Sequence, residues 1–328
     1  YISFASATAL PVAGPAAFSD VVNPLLAKQT QGLNQSCGIV LIDFAGSADG
    51  RTLIDNLILS NRPKPVAMPL RFKEGKLKIA QLTDIHWTPG SEKSEKGNPE
   101  TILKVLEMEN PDVVILTGDV VTSKPAKEGW KRIVEMMETA GVPFAVTMGN
   151  HDAENWSEDS IYNYLSKSRL FIGKKGPEAL SGTGNYILPV YASDGTDKIN
   201  ALLYCMDSND YTADAEKYGN YAWIDWGQIA WYREQSRQYT TKNNGNPLPA
   251  LAFFHIGVPE FKHLQNRPDM YGHLGEGGGF PKINSGMFQS MIEMGDVMGV
   301  FVGHDHDNDY IAQEYGIALG YGRVSGHD

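Results

Sequence analysis

Five short apolar runs in this sequence each break off into a cluster of Asp, Asn or His. Lys76–Thr83 runs into Asp84-Ile85-His86, Asp112–Thr117 into Gly118-Asp119, and Pro143–Met148 into Gly149-Asn150-His151-Asp152. Ala250–Phe254 runs into His255, and Gly299–Val302 into Gly303-His304-Asp305-His306. Continuous apolar runs of this length read as strands buried on both faces, the mark of a parallel sheet. Helical patterns separate the first three. Asn98, Pro99 and Glu100 read as N-cap, first-turn proline and first-turn acid of a helix reaching Met108, and Pro125–Thr139 reads as a second helix closed by Gly141. Strand, helix, strand, helix, strand predicts an α/β sheet with right-handed crossovers. The carboxyl ends of parallel strands gather at one sheet edge, where ligand sites form. Asp84, His86, Asp119, Asn150, His255, His304 and His306 are therefore expected to meet in one place.

The rest of the chain sets limits. At 328 residues it suits one large domain or two ordinary ones, and 42% hydrophobic with 20% charged residues excludes a disordered chain. No run of about 18 apolar residues offers a membrane-spanning helix. The net charge of −11 argues against nucleic-acid binding, although small nucleotides stay possible as substrates. Arg62-Pro63-Lys64-Pro65 interrupts regular structure and marks a domain boundary. We expect an N-terminal segment over 1–62, a linker over 63–75 and a main domain over 76–328. In the first, Tyr1–Ala7 and Gly38–Phe44 read as strands, Pro11–Lys28 as a loop followed by a helical stretch, and Leu53–Leu59 as a short helix. In the main domain, Tyr186–Pro189 and Ala201–Met206 read as strands, Asp225–Gln238 and Ser285–Met294 as helices, and Tyr310–Leu319 as the hairpin partner of the last apolar strand. Asp84–Gly97 reads as a polar loop, Gly272–Gly279 as a mobile loop, and Trp226, Trp231 and Tyr232 as core. Cys37 and Cys205 are too few for a disulfide framework and form no CxxC pair, so one bridge or two thiols remain open. The apolar stretch Ala5–Ala17 is broken by Pro11 and Pro15 and has no basic residue before it, unlike a secretory signal. The Gly-rich stretch from Gly320 has no closing element, and with Tyr1 at the start both ends read as cut.

The seven gathered residues offer oxygen and nitrogen without thiolate, a set suited to Mn²⁺, Fe²⁺/Fe³⁺ or Zn²⁺ and not to a Cys-rich structural zinc site. Seven donors exceed what one ion takes from protein while leaving room for substrate, so two ions sharing a carboxylate is the economical reading.

In their order DxH, GD, GNHD, lone His and GHxH, these motifs resemble the calcineurin-like metallophosphoesterases. The resemblance runs from Lys76 to Arg323. It implies a β-sandwich of two mixed sheets flanked by helices, an α/β (α+β) fold, with a two-metal site at the strand ends. Asp84 and His86 would bind the first ion with His306, Asn150, His255 and His304 the second, and Asp119 would bridge. His151 would face the substrate phosphate and protonate the leaving oxygen, with Asp152 orienting it. The implied activity is metal-assisted phosphate-ester hydrolysis, mono- or diester, on a small phosphorylated substrate. Monoesters need a further cationic contact, and Arg323 is the candidate; Trp87, Trp156 and Asp207 are further residues for the substrate side.

The stretches 203–208, 255–261 and 320–323 resemble the purple-acid-phosphatase-like branch. Purple acid phosphatases themselves carry DxG and GDxxY, where this chain has Asp84-Ile85-His86 and Thr122, so no tyrosinate-to-iron colour is expected.

Tyr1–Phe4, Gly38–Gly46 and Leu53–Asn61 resemble the closing part of a bacterial phosphatidylinositol-specific phospholipase C barrel. That family's catalytic histidines lie near its barrel start, and no His precedes His86 here, so this fragment cannot do that chemistry alone. A lipase-like neighbour would suit a secreted or periplasmic setting and lipid-derived substrates such as inositol phosphates. It also leaves a second reading open, a catalytically silent head-group-binding module, which the complete donor set argues against.

Overall fold

The computed structural model describes residues 3–5, 40–42 and 67–327. The chain divides into two compact units, residues 1–64 and 65–328. In the first, β1 (Ser3–Ala5) and β2 (Val40–Ile42) pair in parallel, Ser3 opposite Val40. The helices expected at Pro11–Lys28 and Leu53–Leu59, Cys37, and most of the phospholipase-like stretches lie outside the described residues.

The second unit is a mixed α/β fold whose two sheets are flanked by helices. Its smaller sheet holds β3 (Ile79–Leu82), β4 (Val113–Thr117) and β5 (Phe144–Thr147), all parallel and in that order. α1 (Asn98–Glu109) joins β3 to β4, and α2 (Ala126–Ala140) joins β4 to β5. All residues of β4 are buried, as its unbroken Val-Val-Ile-Leu run requires of a central strand. α2 buries Ala126, Trp130, Ile133 and Met137 at helical spacing, and Gly141 ends it at φ 68°.

After α3 (Glu158–Leu165), which the sequence pattern does not announce, come β6 (Tyr186–Tyr191) and β7 (Ile199–Cys205). α4 (Ala215–Tyr218), α5 (Trp226–Lys242), β8 (Ala250–Phe253), α6 (Met287–Met294), β9 (Val297–Val302), β10 (Ile311–Glu314) and β11 (Ile317–Tyr321) follow. The larger sheet runs β10-β11-β9-β8-β7-β6, with β7, β8, β9 and β11 parallel and the two edge strands antiparallel.

Alternation along β7 serves two cores. Leu203 and Cys205 join β4, β5, α1 and α2 in one, and Leu202 and Tyr204 join Ile229, Tyr232, Phe288 and Met291 of α5 and α6 in the other. Cys205 is a free, buried thiol that burial pushes up to about 12. Asp225 and Gln228 close a capping box at the start of α5.

Several expectations need correction. Asn98 is no cap. Residues Lys93–Gly97 form a π-turn that runs straight into α1, and the Asn98 side chain instead accepts from the His327 amide at 3.0 Å. Trp226 is 77% exposed: with Asp225 as N-cap it is the first residue of the helix, and the first turn packs through Gln228 and Ile229 instead. The Gly-rich end is docked: Ser325 exchanges hydrogen bonds with the Thr83 backbone, and Gly326 packs on the Ile85 carbonyl.

The start of β4 carries a half-buried anchor. Asp112 accepts from the Lys78 amide at 2.8 Å and pairs with the Lys73 ammonium at 2.5 Å. Burial pushes its carboxyl up, but the Lys73 and Lys78 hydrogen bonds outweigh it and hold it below the usual carboxylate range. A depressed folded pKa gives stability that is present above the unfolded pKa, about 4, and is lost as pH falls through the folded value. Asp112→Ala should therefore cost about 1 kcal/mol at neutral pH. Urea unfolding should show the gap to the parent closing as pH drops below about 4.

Candidate metal centre

The ladder between β3 and β4 continues past both strands into the site. Asp84 and His86 donate their amides to the carbonyls of Gly118 and Asp119, each at 3.0 Å. Asp84, His86 and Asp119 sit in the left-handed region at φ 51°, 49° and 49°, and His304 joins them at 76°. Such backbone costs on the order of 1–3 kcal/mol per residue and persists where its surroundings impose it, typically at functional sites. Two glycines make the close approach possible. A Cβ on Gly303 would stand 1.8 Å from Thr83 Oγ1, and one on Gly118, at φ 91°, would stand 2.5 Å from His255 Nδ1.

Each buried carboxylate has one oxygen held and one offered. Asp84 Oδ2 accepts from the Thr83 hydroxyl at 2.6 Å and the His304 amide at 2.9 Å, while Oδ1 has no hydrogen-bond partner. Asp119 Oδ1 accepts from the His151 amide at 2.9 Å, and its Oδ2 lies 3.1 Å from His255 Nε2 and 3.8 Å from His86 Nε2. His255 donates Nδ1–H to the Thr117 carbonyl at 2.7 Å, which turns Nε2, without a hydrogen-bond partner, to the site. Asn150 donates to the Tyr211 hydroxyl at 2.9 Å and leaves Oδ1 without a partner.

Two groups result. Asp84, His86 and His306 bring ligand atoms within 4.8 Å of one another, and so do Asp119, His255 and His304. Asp84 Oδ1, His86 Nε2, Asn150 Oδ1 and His255 Nε2 are all buried and unpaired. Orphaned acceptors are costly in a protein interior unless a cation satisfies them, so this donor set fits metal ions. The charges agree. Burial pulls His255 down, but Asp119 and Asp84 outweigh it and push the imidazole up to about 10, so the two carboxylates draw positive charge, a proton on Nε2, to the place a metal ion would take in its stead. Burial pushes Asp84 up, yet His255 with the His306, His86 and Thr83 contacts holds it far below the usual carboxylate range. The carboxylates thus retain their charge and call for a positive partner. His304, half-buried and facing His255, is pulled down to about 3 by desolvation and by His255 and stays neutral, as a ligand must.

Other expected site residues fall differently. Asp152 does not touch His151: its carboxylate accepts from the amides of Val120, Val121 and Gly149 at 2.9, 3.1 and 2.9 Å. Those three bonds exhaust its reach, and Glu154 Oε1 instead lies 2.7 Å from His151 Nδ1. Arg323 is not free: its guanidinium lies 3.4 Å from the carboxylates of both Asp307 and Asp309. Trp87 is a fully buried core residue, and Asp207, also buried, accepts from the amides of Thr183 and Asn209. Asp305, as its place between two ligand histidines requires, points away from them, accepting from Tyr321 and the Gly279 amide.

The Gly-rich loop is pinned rather than mobile. Asn308 takes the amides of Gly275 and Glu276, Asp309 that of His273, and Asp305 that of Gly279. Tyr211 and Tyr221 have no sequence motif. They stack with ring centroids 6.0 Å apart, and Tyr221 meets His304 edge-on at 4.5 Å, walling one side of the site. Their only sequence signal is the Tyr content of 211–221, between a strand and a helix.

The calcineurin-like phosphoesterase profile matches residues 77–308, and this chain belongs to that family. It is 31% identical over 289 residues to "Probable inactive purple acid phosphatase 29" of Arabidopsis thaliana, covering 79% of this chain and 74% of that protein. It is 29% identical over 271 residues to "Phosphatase DCR2" of Saccharomyces cerevisiae, covering 74% of this chain and 46% of the yeast protein. Among solved structures, a dimetal phosphatase from Danio rerio superposes with a TM-score of 0.50 at 12% identity, over 76% of this chain and 88% of that one. That likeness is one of fold.

Gly303→Ala should drive the new methyl into Thr83 and Asp84 and misplace Oδ1. Calorimetric titration should show Mn²⁺ bound at least about tenfold more weakly, with the circular dichroism of the fold retained.

Proposed function

We propose that residues 76–328 form a two-metal phosphoester hydrolase. The observation that carries this reading is the convergence of four buried, unpaired ligand atoms, one of them on the held Asp84 carboxylate, with the held carboxylate of Asp119. In this reading Asp84, His86 and His306 hold one ion, and Asn150, His255 and His304 hold the other. Asp119, whose Oδ2 faces both His86 and His255, is shared between them. When bound, two divalent ions neutralise the phosphate and lower the pKa of a water towards neutrality. Oxygen and imidazole ligands suit Mn, Fe or Zn, and Thr122 in place of a tyrosine removes a ferric tyrosinate.

The chain's own residues supply the rest. The Thr83 hydroxyl and the His304 and His151 amides keep both carboxylates from turning away. His255 is held in one tautomer by Thr117. His151, on the rim with its ring centroid 6.0 Å from that of His86, gives a proton to the leaving oxygen. Arg323, already paired with two carboxylates, is a weak second contact for a dianionic monoester, so diesters belong among the first substrates tried. Residues 1–62, resembling a phospholipase C barrel fragment, make inositol phosphates the natural lipid-derived members of the panel.

The name of the Arabidopsis relative favours a second reading, a silent phosphate-binding module. Metal analysis and turnover separate the two. Reconstitution with Mn²⁺ should load two ions per chain by mass spectrometry, and p-nitrophenyl phosphate, its bis-ester or an inositol phosphate should be hydrolysed. Asp119→Ala should abolish turnover with the fold intact. Less than one ion per chain, or no turnover of any ester by the loaded protein, would favour the silent module.

A further inference from the structure

Resting on the hydrolase reading, we propose that Glu154 is the positioning residue that presents His151 to the leaving oxygen. The short turn Asp152–Glu154 is a 3-10 helix with His151 at its N-cap, and the Glu154 amide donates to the His151 carbonyl at 3.2 Å. Side chains three residues apart eclipse in such a turn, so Glu154 lies under the imidazole, with Oε1 2.7 Å from Nδ1. Asp152 locks the turn through three backbone amides drawn from the loops after β4 and β5. The labour is thereby divided: Asp152 fixes the backbone, and Glu154 fixes the ring.

A carboxylate only accepts, so Nδ1 must carry hydrogen and Nε2 is the atom left for substrate. Nε2 lies on the side of the Tyr211 hydroxyl, 3.5 Å away, which in turn holds Asn150. The ring enters the step as the imidazolium, with Nδ1–H on Glu154 and Nε2–H towards substrate; water attacks phosphorus and the phosphorus–oxygen bond to the leaving group breaks. The Nε2–H bond breaks with it, and its proton goes to the leaving oxygen. The ring is left neutral, with Nδ1–H still on Glu154. Both side chains are more than a third exposed, so the pair adds little to stability, and its effect is on orientation.

The test is leaving-group dependence in the Mn²⁺-loaded protein. Glycerol 2-phosphate expels a basic alkoxide that needs a proton, whereas p-nitrophenolate leaves without one. Glu154→Ala should lower kcat for glycerol 2-phosphate at least about tenfold and for p-nitrophenyl phosphate less than about threefold. Glu154→Gln, whose amide oxygen still accepts from Nδ1–H, should restore most of the loss. In a His151→Ala background, Glu154→Ala should add nothing. Independently of turnover, ring ¹⁵N shifts taken at a pH where the ring is neutral, the form left after proton donation, should show His151 as the Nδ1–H tautomer in the parent and in Glu154→Gln but not in Glu154→Ala. Equal losses on both esters, or an unchanged tautomer, would overturn the assignment. No turnover of either monoester, nor of bis-p-nitrophenyl phosphate, by the parent would overturn the hydrolase reading and this inference with it.

Discussion

Asp84 has two oxygens and two tasks. Its Oδ2 is saturated by the Thr83 hydroxyl and the His304 amide, and this joins the end of β3 in one sheet to the end of β9 in the other. Around that bond the seam between the sheets is polar and closely fitted: Gln81 donates to the Val302 carbonyl, Ser325 reaches Thr83, and Gly303 has no side chain to keep them apart. Because Oδ2 is committed, Oδ1 cannot rotate into a hydrogen bond and remains an unpaired negative edge inside the protein. A buried carboxylate is tolerable only when opposite charge and donors surround it, as His255, His306 and His86 do here. The same bond thus fixes the sheets and holds open a position that a cation must fill.

Much of this is legible in the order of residues alone. β4 announces itself through Val113–Leu116, and the Asp and His residues after each apolar run fall where parallel strands must end. The glycines of the motifs are visible there too, but not their reason. Gly303 and Gly118 are required by neighbours far away in sequence, Thr83 and His255, whose approach no local pattern encodes. Tyr211 and Tyr221 are illegible because an isolated two-residue pairing, not a periodic element, brings them to the site.

The two acids that follow His151 mark where local pattern loses its hold. Asp152 and Glu154 both stand within three residues of the histidine in sequence, and composition cannot tell which of them meets its ring. The difference lies in a short turn whose direction is set by amides from another loop. The Gly-rich segment behaves the same way from the other side. Five glycines in 272–279 read as freedom, yet carboxylates and an amide at 305–309 take up their backbone donors and turn the segment into a wall. Flexibility in sequence is the permission to fit closely as much as the permission to move.

The seam also sets an order of events during synthesis. Asp84, Asp119 and Asn150 leave the ribosome long before His304 and His306, which lie beside the last strands of the larger sheet. On the two-metal reading, a nascent chain that has folded β3, β4 and β5 holds only the Asp84, His86, Asp119 and Asn150 share of the ligands. Capture of metal would then coincide with closure of the larger sheet, and the cation would act as a late clasp.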